Sequence, residues 1–175
     1  MTWTAFHRRG ETLRAVIAAA DARLDGHLPM DVDGVPETFG DELTLLGALS
    51  LRWHTRLAGR IERELMHQPL DIEQAVVTAW QLTAEDLPGI RAVIDRHRAE
   101  PLDAAMADAM AKAAAKERIL LAVMAGQVSA RDDAAVRVGE QIENAARASY
   151  RPVRRIPAPR HASGFLDRIR AALAA

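Results

Sequence analysis

Residues 41–68 constrain the fold more than any other stretch of the chain. The first half, Leu43-Thr44-Leu45-Leu46-Gly47-Ala48-Leu49-Ser50-Leu51, is apolar on nearly every side. The second half narrows to one stripe, Trp53, Leu57, Ile61 and Leu65, each four residues on. Four-residue spacing places side chains on one face of a helix. A helix apolar all round is buried, and a striped one lies at a surface. The pattern predicts one long helix whose start runs through the core and whose end emerges, with other helices packed around it.

Opposite the stripe stand Arg52, Arg56, Arg60, Arg63 and His67, spaced four, four, three and four. This one-sided basic ridge is the most distinctive surface feature in the sequence. Arginine forks pair bidentately with carboxylates and phosphates, so the ridge suits an acidic protein surface or a nucleic-acid backbone. The plainer reading is a solvated face cross-linked to Glu62, Glu73 or a neighbouring acidic helix, since surface ion pairs are common and contribute little.

The rest of the chain supports a helical body. Residues 11–24 place Leu13, Val16, Ile17, Ala20 and Leu24 on one face, with Trp3 and Phe6 ahead of them as anchors. Residues 26–40, broken by Pro29, Gly34 and Pro36, read as a loop. Asp31-Val32-Asp33-Gly34 superficially matches a calcium loop, but the third ligand and the distant glutamate of that motif are missing. Pro69 breaks the chain, and Asp71 with Gln74 forms a capping-box signature for a short helix with Ile72, Val76, Ala79 and Trp80 inward. Thr83 and Asp86 suggest a new start, continued by Leu87, Ile90, Val93, Ile94 and His97. A longer alanine-rich helix is expected from Pro101 to residue 125, closed by Gly126. Its face is Leu102, Met106, Met110, Ala113, Glu117, Leu120, Leu121 and Met124. Ser129 and Asp132 cap the next, over residues 130–149, with Ala135, Val138, Ile142 and Ala145 inward. No run of alternating β-branched residues appears. The fold class expected is all-α, a single helical bundle of about six helices over residues 1–150.

Residues 151–175 differ in kind. Arg151 to His161 sets three prolines among four arginines, the pattern of an extended linker. Ser163 can cap a short amphipathic helix carrying Phe165, Leu166, Ile169 and Leu173. A lone helix of that length is marginal in water and must dock on its own body, a second copy or another protein. Charge divides at the same place. The chain is −1 overall, but residues 1–149 carry 17 basic against 23 acidic groups, and residues 150–175 carry 6 against 1.

A second constellation points inward. At 100° per residue His54 and Glu64 fall on or beside the apolar stripe, and His97 and Glu117 sit mid-face on their helices. Four ionisable groups aimed at one core can bind a metal or hold a proton at a shifted pKa. Glu64 and His67 even share the Glu-x-x-His spacing of di-iron bundles, which require a second copy of that motif and two more inward glutamates. Neither is present. The simpler reading has His54 and His97 bonded to carbonyls and Glu117 paired to an arginine.

Composition excludes much. With no cysteine, disulfides and thiolate chemistry are ruled out. Aromatic residues make up only 4% of the chain, which favours helix over sheet. Arginine supplies 21 of 23 basic residues, in keeping with a GC-rich bacterial genome. No stretch has the length of a signal peptide's apolar core or a membrane span, so the expected location is cytoplasmic. No phosphate-binding glycine loop, nucleophile elbow or dinucleotide fingerprint occurs. The sequence therefore reads as a regulatory or interaction module without a cofactor or membrane contact, and not as an enzyme. Its protein partner would be held by Arg52, Arg56, Arg60, Arg63 and His67 together with Arg154, Arg155, Phe165 and Ile169. A nucleic-acid or ribosome-associated protein is the first alternative. A helical metal protein or enzyme built on His54, Glu64, His97 and Glu117 is the second.

Overall fold

The computed structural model describes residues 3–151, with side chains from His7 onward. Seven helices and no strand occur among these residues, as the all-α reading requires. They are α1 (Trp3–Arg23), α2 (Val35–Phe39), α3 (Glu42–Met66), α4 (Ile72–Asp86), α5 (Pro88–Ala99), α6 (Ala104–Met124) and α7 (Asp133–Ser149). Trp3 and Phe6 as anchors, and Arg154, Arg155, Phe165 and Ile169 of the tail, lie outside what is described.

Aspartates start four of the helices. The carboxylates of Asp41, Asp71, Asp103 and Asp132 each accept a bond from a free backbone N–H of the first turn, at 2.7–3.1 Å. Each satisfies an amide that would otherwise lack a partner. Several expected boundaries move for equally local reasons. α1 begins at Trp3 rather than residue 11. Its Arg9 donates to the Thr38 carbonyl at 3.1 Å and lies over the Phe39 ring at 4.6 Å, which ties the early turns to α2. Thr83 does not open a helix: its hydroxyl donates to the Ala79 carbonyl at 2.7 Å inside α4. The break comes at Leu87 (φ −132°, ψ 53°), pushed out of the helical region by the ring of Pro88. α6 starts after Asp103 rather than at Pro101, and α7 after Asp132 rather than at residue 130.

Leu45, Leu46, Leu49, Trp53, Leu57 and Ile61 of α3 are wholly buried. α3 packs on α1, α2, α4, α5 and α6, and α7 closes against α4 and α6. Leu51, expected in the buried half, is instead 67% exposed. Two glycines allow close helix approach. A Cβ on Gly89 would lie 2.3 Å from the Ala20 carbonyl carbon, and one on Gly139 would lie 1.8 Å from the Arg118 carbonyl oxygen. Only glycine lets α5 reach α1 and α7 reach α6 so closely. The second contact brings the acidic face of α7 against the arginines of α5 and α6.

Candidate functional site

The ridge on α3 divides into two kinds of arginine. Arg56 donates to one Asp86 carboxylate oxygen through Nε at 3.1 Å and Nη2 at 2.6 Å, and Arg60 donates to the same oxygen at 2.6 Å. Asp86 is the last residue of α4, where the helix dipole disfavours a negative charge. Burial pushes its carboxyl up, but the Arg56 and Arg60 forks outweigh this and hold it below its ordinary value. The centre of the ridge is thus an internal clamp between α3 and α4. Arg52, Arg63 and His67 are exposed, and their side chains have no hydrogen-bond or ion-pair partner among the described residues. The ends of the ridge are the parts free to meet another molecule.

Glu117 stands at the centre of a second, buried charge system. It is 0% exposed and accepts the Trp80 indole N–H at 3.1 Å, Arg91 Nη1 at 3.3 Å and a short bond from Arg98. Arg98 also donates to Glu143 at 3.0 Å, and Arg118 and Arg147 reach the same carboxylate at 3.1 and 2.8 Å. Arg147 forks onto Asp95, which Arg91 also holds at 2.7 Å. Arg118 continues to Glu140 at 2.9 Å. Four arginines face four carboxylates, so the cluster is formally neutral. Burial pushes the Glu117, Glu143 and Asp95 carboxyls up, yet the surrounding guanidinium groups hold all three below their ordinary values. Burial, together with the neighbouring Arg98 and Arg147, holds the Arg91 guanidinium below its ordinary value against the opposing effect of Glu117 and Asp95.

An aromatic wall lines this cluster. The Arg91 guanidinium lies 4.7 Å from the Trp53 ring centre and that of Arg147 5.0 Å from Trp80. Trp80 meets Trp53 and Tyr150 edge-on at 5.8 and 6.3 Å. Cations over aromatic faces regain part of the interaction that burial removes. Chemically the cluster is saturated, because each carboxylate that could ligate or transfer a proton already accepts from arginine.

The inward set of the sequence does not gather. His54 and His97 each place Nδ1 2.8 Å from the carbonyl four residues back, Ser50 and Val93 respectively. Glu64 is half-buried on the last turn of α3, and Glu117 is held by Arg91 and Arg98. No three His, Asp or Glu side chains come together as a metal-binding group among the described residues. Asp31, of the loop that superficially matches a calcium motif, is instead gripped by Arg23 at 2.6 and 2.7 Å.

One end of the bundle carries an apolar ledge. Met66, Leu70 and Ile72 are 80%, 108% and 46% exposed. Leu70 and Ile72 border a cleft of about 610 Å³ whose far side includes Ser149 at the end of α7. Gln81 fixes that end by donating to the Ala146 carbonyl at 3.0 Å and the Ser149 hydroxyl at 2.9 Å. The end of α7 therefore lies across the cleft from Leu70 and Ile72. Arg63 in the last turn of α3 and His67 at its C-cap are exposed a few residues before Leu70.

Sequence patterning singled out Glu117 but missed its partners. Arg91 and Arg98 sit three or four residues from Leu87 and Ile94 on the apolar face of α5, and Glu143 adjoins Ile142 on α7. Charges at core-facing positions on several helices at once were the available signal. No helix among the described residues is long and apolar enough to cross a membrane. No protein-family model, curated protein or solved structure matches this chain.

Proposed function

We propose that this chain is a cytoplasmic regulatory module that binds an acidic protein surface. The unpaired ends of the α3 ridge and the tethered segment 152–175 supply the contacts. One observation carries the reading: the exposed Arg63, Met66 and His67 close α3 just before the exposed Leu70 and Ile72, which share a cleft with Ser149 at the end of α7. Exposed apolar area rimmed by charge marks interaction sites, and tethering a second contact raises its effective concentration. At the other end of the ridge, Arg52 joins Arg9 along a cleft of about 440 Å³ between α1 and α3. Arg52 and Arg63 are eleven residues apart on one helix, about 16 Å along its axis, a span suited to a partner helix rather than a small ligand.

Capture from a native lysate on the immobilised full chain tests the reading, with Arg52→Glu plus Arg63→Glu as the charge-reversed variant. Loss of the retained partner by the variant, and a smaller loss when residues 152–175 are removed, is the expected outcome. Equal retention by the double variant would discard the ridge as a binding surface.

A further inference from the structure

Within one turn and a half of α3 three polar atoms are buried without a hydrogen-bond partner: Ser50 Oγ, Trp53 Nε1 and His54 Nε2. Native structures leave few such atoms unsatisfied, and each calls for a reason. Ser50 is 7% exposed. His54 Nδ1 lies 2.8 Å from the Ser50 carbonyl, which can only accept, so that nitrogen carries the proton. In the neutral ring Nε2 is then left with an open lone pair. Ser50 and His54, one helical turn apart on α3, thus hold an unused hydroxyl and an unused acceptor.

Both residues border a cleft of about 500 Å³ between α3 and α6. Leu51 and Met110 give it apolar walls. Gly47, an exposed residue, lies at its edge, where an added Cβ would meet nothing within 4 Å. Packing therefore does not require this glycine, although glycine inside a helix costs about 1 kcal/mol relative to alanine. What its missing side chain leaves is open space at the edge of the cleft. The rim is cationic in an unusual way. A chain with 21 arginines has only two lysines, Lys112 and Lys116, and both line this cleft one helical turn apart. Lys116 has no ion-pair partner among the described residues. Lys112 donates to Asp108 at 2.6 Å, but both side chains are more than 60% exposed, and such a pair is readily exchanged.

We infer that the α3–α6 cleft binds a small amphipathic carboxylate that carries a hydroxyl group. The carboxylate sits at Lys112 and Lys116, and the apolar body lies between Leu51 and Met110. The hydroxyl turns inward to donate to His54 Nε2 and accept from Ser50 Oγ. Ligand sites of this kind are concave, mostly apolar and oriented by a few converging polar groups. Lysine suits the rim, because it meets a carboxylate as a mobile point charge and leaves the fork geometry to the arginines elsewhere. The site uses none of the ridge arginines, although Gly47 and Leu51 also border the cleft beside Arg52.

Titration of the full chain with 4-hydroxybenzoate, followed by calorimetry and amide chemical shifts, tests the inference, with benzoate and phenol as truncated controls. Saturable binding of 4-hydroxybenzoate is expected, with shifts confined to residues 43–54 and 106–116. Each control should bind about tenfold more weakly, as loss of one hydrogen-bonded or charged contact gives. Gly47→Leu should crowd the edge of the cleft and weaken binding without lowering the melting temperature. Because that variant can fail to fold, Lys112→Ala with Lys116→Ala, both at exposed positions, should abolish the advantage over phenol in a folded protein. Absence of saturable binding, equal affinity for benzoate, or shifts elsewhere on the surface each overturns the inference and leaves the inner polar atoms to a water molecule.

Discussion

The cluster around Glu117 and the ridge on α3 use the same side chain for opposite ends. In the cluster, Arg91 and Arg98 are almost wholly withdrawn from water and each is matched to carboxylates on other helices. On the ridge, only Arg56 and Arg60 are matched, both to Asp86, while Arg52 and Arg63 stay in solvent. An arginine acquires a structural role when another helix delivers a carboxylate to it in a place water cannot reach. It remains available for recognition when none arrives. The contrast predicts a graded series of effects.

The largest effect should come from Glu117→Ala. It leaves Arg91 and Arg98 facing a buried void, and breaking a buried pair costs roughly 3–5 kcal/mol. Urea unfolding should show that loss, and Glu117→Gln, which keeps an acceptor for Trp80, should lose less. If Glu117→Ala unfolds like the parent chain, the cluster contributes nothing and the contrast collapses.

Acid should separate the regions next. Glu117, Glu143 and Asp95 have folded-state values below the ordinary 4.5 of glutamate and 3.8 of aspartate. Groups depressed in this way stabilise the fold above the ordinary values, and that contribution is lost as pH falls through the folded-state values. Melting temperature should hold as pH falls to about 4.5 and decline below it, and Glu117→Gln should flatten the decline. A profile that is level into strong acid contradicts the depressed values.

Arg56→Glu with Arg60→Glu should be milder. The pair with Asp86 is partly exposed, so its loss costs about 1 kcal/mol, with added repulsion from the new acids. Helical content should survive while the melting temperature drops. An unchanged melting temperature would return these two residues to the pool of free ridge charges.

The smallest effect on stability belongs to Arg52→Glu with Arg63→Glu, within about 0.5 kcal/mol of the parent, as for ordinary surface substitutions. Any larger loss means that these two also have structural partners. Partner capture, by contrast, should be most sensitive to this pair, so the orders of effect on folding and on binding should run in opposite directions.

Much of the helical framework was legible in the chain. Periodicity placed Trp53, Leu57 and Ile61 on one buried face, and the spacing of Asp71 to Gln74 marked a helix start that the 2.9 Å bond realises. His54 and His97 met carbonyls four residues back, a contact set by helix geometry alone. Errors fell where two local signals compete. Thr83 reads equally well as a cap or as a helix residue that bonds backward, and only the break at Leu87 and Pro88 decides between them.

What the sequence by itself determined is therefore local: where helices begin and break, which face of each is apolar, and that charges lie on some of the inward faces. Those properties depend on dihedral preferences and on neighbours within about four residues. Which arginine is clamped and which is free was decided by the tertiary structure. Arg56 meets Asp86 across 30 residues and Trp80 meets Glu117 across 37. Periodicity gives a side chain's angle about its own helix and is silent on the distance to another. The approach of α7 to α6 at Gly139 is what delivers Glu143 to Arg98, Arg118 and Arg147, and a buried carboxylate stays charged only when such cations are in place.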